Sequence, residues 1–75
     1  MRAIKQIAAD IERCWPKPYF GAVPYLQAMR SLETVNDQFG WDSADSIIRY
    51  ALGNMQTFRG PEARKLKAEL KQHLS

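Results

Sequence analysis

The sequence is poor in the side chains that do covalent and metal chemistry. It has one cysteine, Cys14, and one histidine, His73. A lone thiol excludes an internal disulfide, and the wide separation of Cys14 from His73 offers no zinc-ligand spacing. No apolar run approaches the ~18 residues that cross a bilayer. The opening Met1-Arg2-Ala3-Ile4-Lys5-Gln6 is not followed by the apolar stretch of a signal peptide. A single reduced cysteine fits the cytosol, so a cytoplasmic protein with no membrane partner is expected. Gly21, Gly40, Gly53 and Gly60 are scattered, which rules out a phosphate-cradling loop. Asp42 and Asp45 have the spacing of a helix cap and first turn, whereas a calcium loop needs more alternating oxygen ligands. With no acid–base pair and no nucleophile beside a base, neither an enzyme nor a cofactor is expected.

What is present is a short, well-patterned chain. Seventy-five residues make one domain, and a chain of that size buries only about 60% of its unfolded surface. The hydrophobic fraction of 45% is that of a globular protein. With no disulfide or metal as a staple, helix packing must hold the core, with homodimer formation as a further support.

Helical spacing runs through most of the chain. Ile4, Ile7, Ala8, Ile11, Cys14 and Trp15 recur at threes and fours, predicting a helix over 1–15 with Cys14 on its buried stripe. Pro16 and Pro18 end it. After a stiff aromatic connection, Pro24 suits the first position of a second helix, which runs to about 32–34 with Leu26, Met29 and Leu32 inward. The acidic stretch 33–42 reads as a connector whose Phe39 and Trp41 plug the core. Asp42 or Ser43 then caps a third helix, with Ala44, Ile47, Ile48, Ala51, Leu52 and Met55 as its stripe and Gly53 and Asn54 weakening its end. Pro61 opens a fourth, with Ala63, Leu66, Leu70 and Leu74 inward and His73 in a fraying last turn. Strand-like alternation appears nowhere. The expected fold is a compact all-α single-domain bundle of about four short helices over 1–75.

Two surfaces invite a functional reading. The first is the connection that holds Trp15, Tyr19, Phe20 and Tyr25 among prolines. It reads either as a lid over a thin core or as a recognition surface, since aromatics give large contact area at low entropy cost. These aromatics are too many to bury in so small a domain, so one or two are expected outside. The second surface is the last helix. The net charge of +3 hides a segregation: 33–46 carries only acids, while 59–75 carries Arg59, Arg64, Lys65, Lys67 and Lys71 against Glu62 and Glu69. Arg64, Lys67 and Lys71 share a face, and with Arg59 they suggest phosphate contacts beside a helix start whose free amides suit an anion. The plainer account is a solvated face that Glu62 and Glu69 interrupt. Joined to the third helix by a short Gly-containing turn, the last helix also invites comparison with a helix-turn-helix, as any antiparallel helix pair does.

Tyr19-Phe20-Gly21-Ala22-Val23-Pro24-Tyr25-Leu26, with Ala28 and Met29, resembles a motif in a family of short, uncharacterised bacteriophage and prophage proteins. Asp42-Ser43-Ala44 with Ser46-Ile47-Ile48 is similar to a second block of that family. Thr57-Phe58-Arg59-Gly60 with Ala63-Arg64 and Lys67-Ala68-Glu69-Leu70 is similar to a third, in which tryptophan stands where this chain has Phe58. The resemblance implies a phage-type setting in a bacterial cytosol and no particular activity. Size, missing catalytic groups and surplus aromatics then suggest a small protein that acts by binding a host protein, as inhibitor or modulator of a defence, transcription or replication component. The alternative is a nucleic-acid-binding protein that uses the basic last helix.

Overall fold

A computed structural model describes residues 1–74. Four helices follow in order, α1 (Ile4–Cys14), α2 (Val23–Met29), α3 (Ala44–Gly53) and α4 (Pro61–Gln72), with two short strands, β1 (Gln38–Phe39) and β2 (Asp42–Ser43), just before α3. The helices stand where the apolar spacing puts them. The expectation of a purely all-α fold is corrected by the strand pair, an antiparallel ladder with Gln38 opposite Ser43 and Phe39 opposite Asp42.

Each helix boundary has a local cause. The first amides of α1 have no intrahelical acceptor; Ile4 and Lys5 donate theirs to the carbonyls of Glu33 and Leu32, 2.9 and 2.8 Å away. The chain after α2 therefore caps α1. Ser43 caps α3 through its hydroxyl, which accepts from Ser46 N at 3.1 Å. Pro24 and Pro61 sit in the first turns of α2 and α4, where no amide donor is needed. Helix α2 is shorter than its apolar spacing suggests: Leu32 is buried from the turn after it, its amide bonded to the Met29 carbonyl.

Between the strands, Gly40 has φ +62° while Trp41 keeps a negative φ. That is the pattern of a two-residue II′ turn, which wants glycine first. The turn throws its residues outward, so Phe39 is half-exposed and Trp41 fully exposed. The expectation that they plug the core is wrong: a two-residue turn leaves no chain length to fold them back.

One core runs through all four helices, built on Ile4, Ile7, Ile11, Leu26, Met29, Ile47, Ile48, Leu66 and Leu70. The main pairings are α1 on α4 and α2 on α3, with α1 against α2 joining them. Helices α1 and α4 run antiparallel, since Arg2 meets Glu69 at one end and Trp15 meets Phe58 at the other. Two further expectations are corrected here. Cys14 is exposed, because α1 stops at it and the chain's next buried side chain is Trp15. His73 is buried rather than fraying, and its Nε2 donates to the Arg2 carbonyl 2.8 Å away.

Candidate functional site

The aromatic connection divides in two. Trp15 is buried and stacks on Phe58, ring centroids 5.0 Å apart, so it belongs to the core and is withdrawn from the candidate partner surface. Tyr25 is partly buried and stacks on Tyr50, centroids 5.6 Å apart. Tyr19 and Phe20 pack against one another at 4.8 Å and face solvent: Tyr19 is 43% exposed, Phe20 78% and Tyr50 59%. The lid therefore covers the core with Trp15 and Tyr25 and leaves Tyr19 and Phe20 outside.

Gly21 ties these aromatics into one surface. A Cβ placed on Gly21 would lie 2.7 Å from the Tyr19 ring and 2.7 Å from Asn54 Oδ1, so both side chains close over the bare glycine. Asn54 in turn donates through Nδ2 to the Tyr50 carbonyl at 2.8 Å. The result is a seam across α2 and α3, from Phe20 through Tyr19, Gly21 and Asn54 to Tyr50 and Tyr25. Tyr50 escaped the sequence reading. Its signal is an aromatic placed off the Ala44–Ile47–Ile48–Ala51 stripe of an amphipathic helix, where only solvent or a partner can meet it.

The basic candidates, Arg59, Arg64, Lys67 and Lys71, are brought together at the start and along one side of α4. A shallow groove of about 260 Å³ is lined by Phe58, Arg59, Gly60, Arg64 and Lys67. Lys67 Nζ lies over the Phe58 ring, 5.9 Å from its centroid. Its pKa is held below the usual lysine value by burial, and then by the charges of Lys71 and Arg59. Glu62 and Glu69 do not interrupt this face. Each lies two positions from a basic residue, Arg64 or Lys67, and two positions on a helix is about 200° of rotation. Glu69 is bound instead by Arg2, whose Nε and Nη2 donate to its carboxylate oxygens at 2.8 Å.

No protein-family model, curated protein or solved structure matches this chain.

The remaining polar groups do structural work. Arg2 also donates to Asp10 at 2.6 Å, Arg13 pairs with Asp10, Lys5 with Glu33, Arg30 with Glu12, and Arg49 with Asp45. Asp37 accepts from the amides of Glu33 and Thr34. A larger groove of about 530 Å³ opens between the start of α1, residues 33–35 and the end of α4. Its ionisable side chains are already engaged: Arg2 by Asp10 and Glu69, Glu33 by Lys5, His73 by the Arg2 carbonyl. Among the described residues no group of His, Cys, Asp and Glu could hold a metal ion, and no helix is long and apolar enough to cross a membrane.

Proposed function

We propose that this chain is a non-catalytic binding protein that docks a partner protein on the Tyr19–Phe20–Tyr25–Tyr50 seam. The observation that carries the reading is the two aromatic pairs bridged by Gly21 and Asn54, with Phe20 78% and Tyr50 59% exposed in a chain whose core has no staple. A domain this small gains by burying every large apolar side chain it can. Clustered exposed aromatics mark surfaces that are covered in use. The tyrosines suit such a surface, since each offers an apolar ring and a polar tip. None of their hydroxyls is hydrogen-bonded among the described residues. The likeness of residues 19–29 to phage proteins supports a bacterial host protein as partner and the host cytosol as the place, with inhibition or modulation of that protein as the outcome.

The test is a photocrosslinking amino acid at position 20, in bacterial cells. One host protein should be captured, and Phe20→Ala with Tyr50→Ala should release it while far-UV circular dichroism stays helical. Sedimentation of the purified chain separates the alternative occupant: a dimer dissolved by Phe20→Ser would make the seam a self-association surface. A folded double variant that keeps its host partner at full affinity would refute the seam.

A further inference from the structure

Of the eleven Lys and Arg, five are ion-paired among the described residues and six are not; of those six, Lys17 and Lys65 stand apart and four gather at α4. Arg2, Lys5, Arg13, Arg30 and Arg49 each lie within 3 Å of a carboxylate. Arg59, Arg64, Lys67 and Lys71 have no ion pair among the described residues. No carboxylate lines their groove, and Glu62 and Glu69 lie round the helix from it. Arg59, Arg64 and Lys67 converge on a groove floored by Phe58, and Lys71 continues the line one turn further along α4. By the rise of a helix, Arg64 and Lys71 stand roughly 10 Å apart.

From this arrangement we propose a second binding site, independent of the aromatic seam: the groove and the α4 basic face hold the phosphate backbone of duplex nucleic acid. Phe58 favours duplex over single strand: an unpaired base needs a free ring face to stack on, and Phe58 is buried against Trp15 and Lys67. What remains at the surface is guanidinium and ammonium, the groups that meet phosphate oxygens. Crowding fits the same picture. Lys67 is destabilised as a cation by burial and by Lys71 and Arg59, and an anion placed among them relieves that repulsion. Arg59 is partly oriented already, its Nε donating to the Gln56 carbonyl at 3.0 Å, which leaves its terminal nitrogens for a ligand.

The experiment is fluorescence anisotropy of the full chain with labelled DNA duplexes of unrelated sequence, followed over a salt titration. Binding should be equal across sequences and fall with salt at a log–log slope of roughly −0.9 per phosphate contact, hence about −3 to −4 for the four cations. Arg64→Gln with Lys71→Gln should flatten the slope by about two contacts and weaken binding at least tenfold. Both positions lie off the buried stripe and glutamine keeps the helix, so circular dichroism should be unchanged. Lys5→Gln with Arg49→Gln, which removes cations of the paired population, should bind as the parent does. Phe20→Ala with Tyr50→Ala should also bind as the parent does, which keeps this proposal separate from the seam. Inorganic phosphate at millimolar concentration should not compete. Equal competition by inorganic phosphate, equal loss in the Lys5/Arg49 control, or a slope near zero would each overturn it. So would tighter binding of polyglutamate than of duplex, which would turn the face toward an acidic protein.

Discussion

Trp15 lies on Phe58 with ring centroids 5.0 Å apart and planes 21° from parallel. The pair ties the end of α1 to the turn before α4, at the far end of the helix pair from the Arg2–Glu69 bond. It also fixes what each residue is for: Trp15 closes the core, and Phe58 is the floor beneath the basic groove.

Phe58→Ala should therefore remove more than one ring. Phe58 is buried, and truncating a buried phenylalanine costs about 3–5 kcal/mol, much of the stability of a domain this small. The urea midpoint should fall to near zero denaturant, and near-UV dichroism from Trp15 should collapse. A midpoint within a few tenths of molar of the parent would show that the stack carries little of the core.

His73→Ala and Cys14→Ser should have effects opposite to those suggested by their places in the sequence. His73 is buried and donates to the Arg2 carbonyl, so its loss leaves a carbonyl without its partner at about 1 kcal/mol or somewhat more. Cys14 is exposed, and its replacement by serine should leave the melting temperature within about a degree, as for other surface changes. The native protein should also react with a thiol reagent as fast as the unfolded chain does. Slow native labelling, freed by urea, would place the thiol inside.

The helices were legible because burial writes itself at threes and fours: Ile4, Ile7 and Ile11, or Ile47, Ile48 and Ala51, need one face and have it. What failed to show were features that depend on where a helix stops or on a partner far along the chain. Cys14 keeps the spacing of α1, but the helix ends there and the next turn swings Trp15 inward. His73 looks terminal, and only the antiparallel fit of α4 on α1 brings it to Arg2. The strand pair is too short to show alternation, and Gly40 reads as a generic turn until its φ is known. Most of the candidate aromatic site was legible. Tyr19, Phe20 and Tyr25 were singled out by their surplus, Trp15 was misplaced, and Tyr50 emerged only from its stack on Tyr25. All of the basic cluster was legible, but its continuity was not, because Glu69 points to Arg2 rather than into it.

Acid should loosen the α1–α4 contact first. Asp10 sits below its ordinary 3.8 through the Arg2 bond and then Arg13. Glu69 sits below its ordinary 4.5 for the same Arg2 reason. With folded values depressed, the unfolded chain takes up these protons first as pH falls. The stability they supply is complete above about pH 4.5 and is lost as pH drops through the lower folded values. Arg2→Gln should lower stability at neutral pH and flatten the decline below about pH 4. A residual slope should remain, since Asp37 is held low by the Glu33 and Thr34 amides. An unchanged acid limb in Arg2→Gln would assign the acid sensitivity elsewhere.

Gly21→Ala offers a test of the aromatic seam that leaves every aromatic in place. The new methyl would sit 2.7 Å from Asn54 Oδ1 and 2.7 Å from the Tyr19 ring, so one of them must move. Asn54 is the α3 C-cap residue and its amide group is held by the Tyr50 carbonyl. The Tyr19 ring is 43% exposed and packs beside Phe20 with no hydrogen bond to fix it, so it yields. The backbone of Gly21 is not in the left-handed region, and alanine there gains about 0.4–1 kcal/mol by restricting the unfolded chain. That gain offsets the cost of turning an exposed ring, so the melting temperature should stay close to that of the parent. Binding should not. A displaced Tyr19 uncovers one edge of the seam, and losing an interface aromatic costs about 1–2 kcal/mol, roughly a tenfold loss of affinity for the captured host protein. Crosslinking yield from position 20 should fall in step, while duplex binding at α4 holds. Undiminished partner affinity, in a variant whose Tyr19 ring resonances have shifted, would show that the partner does not touch the seam at Tyr19.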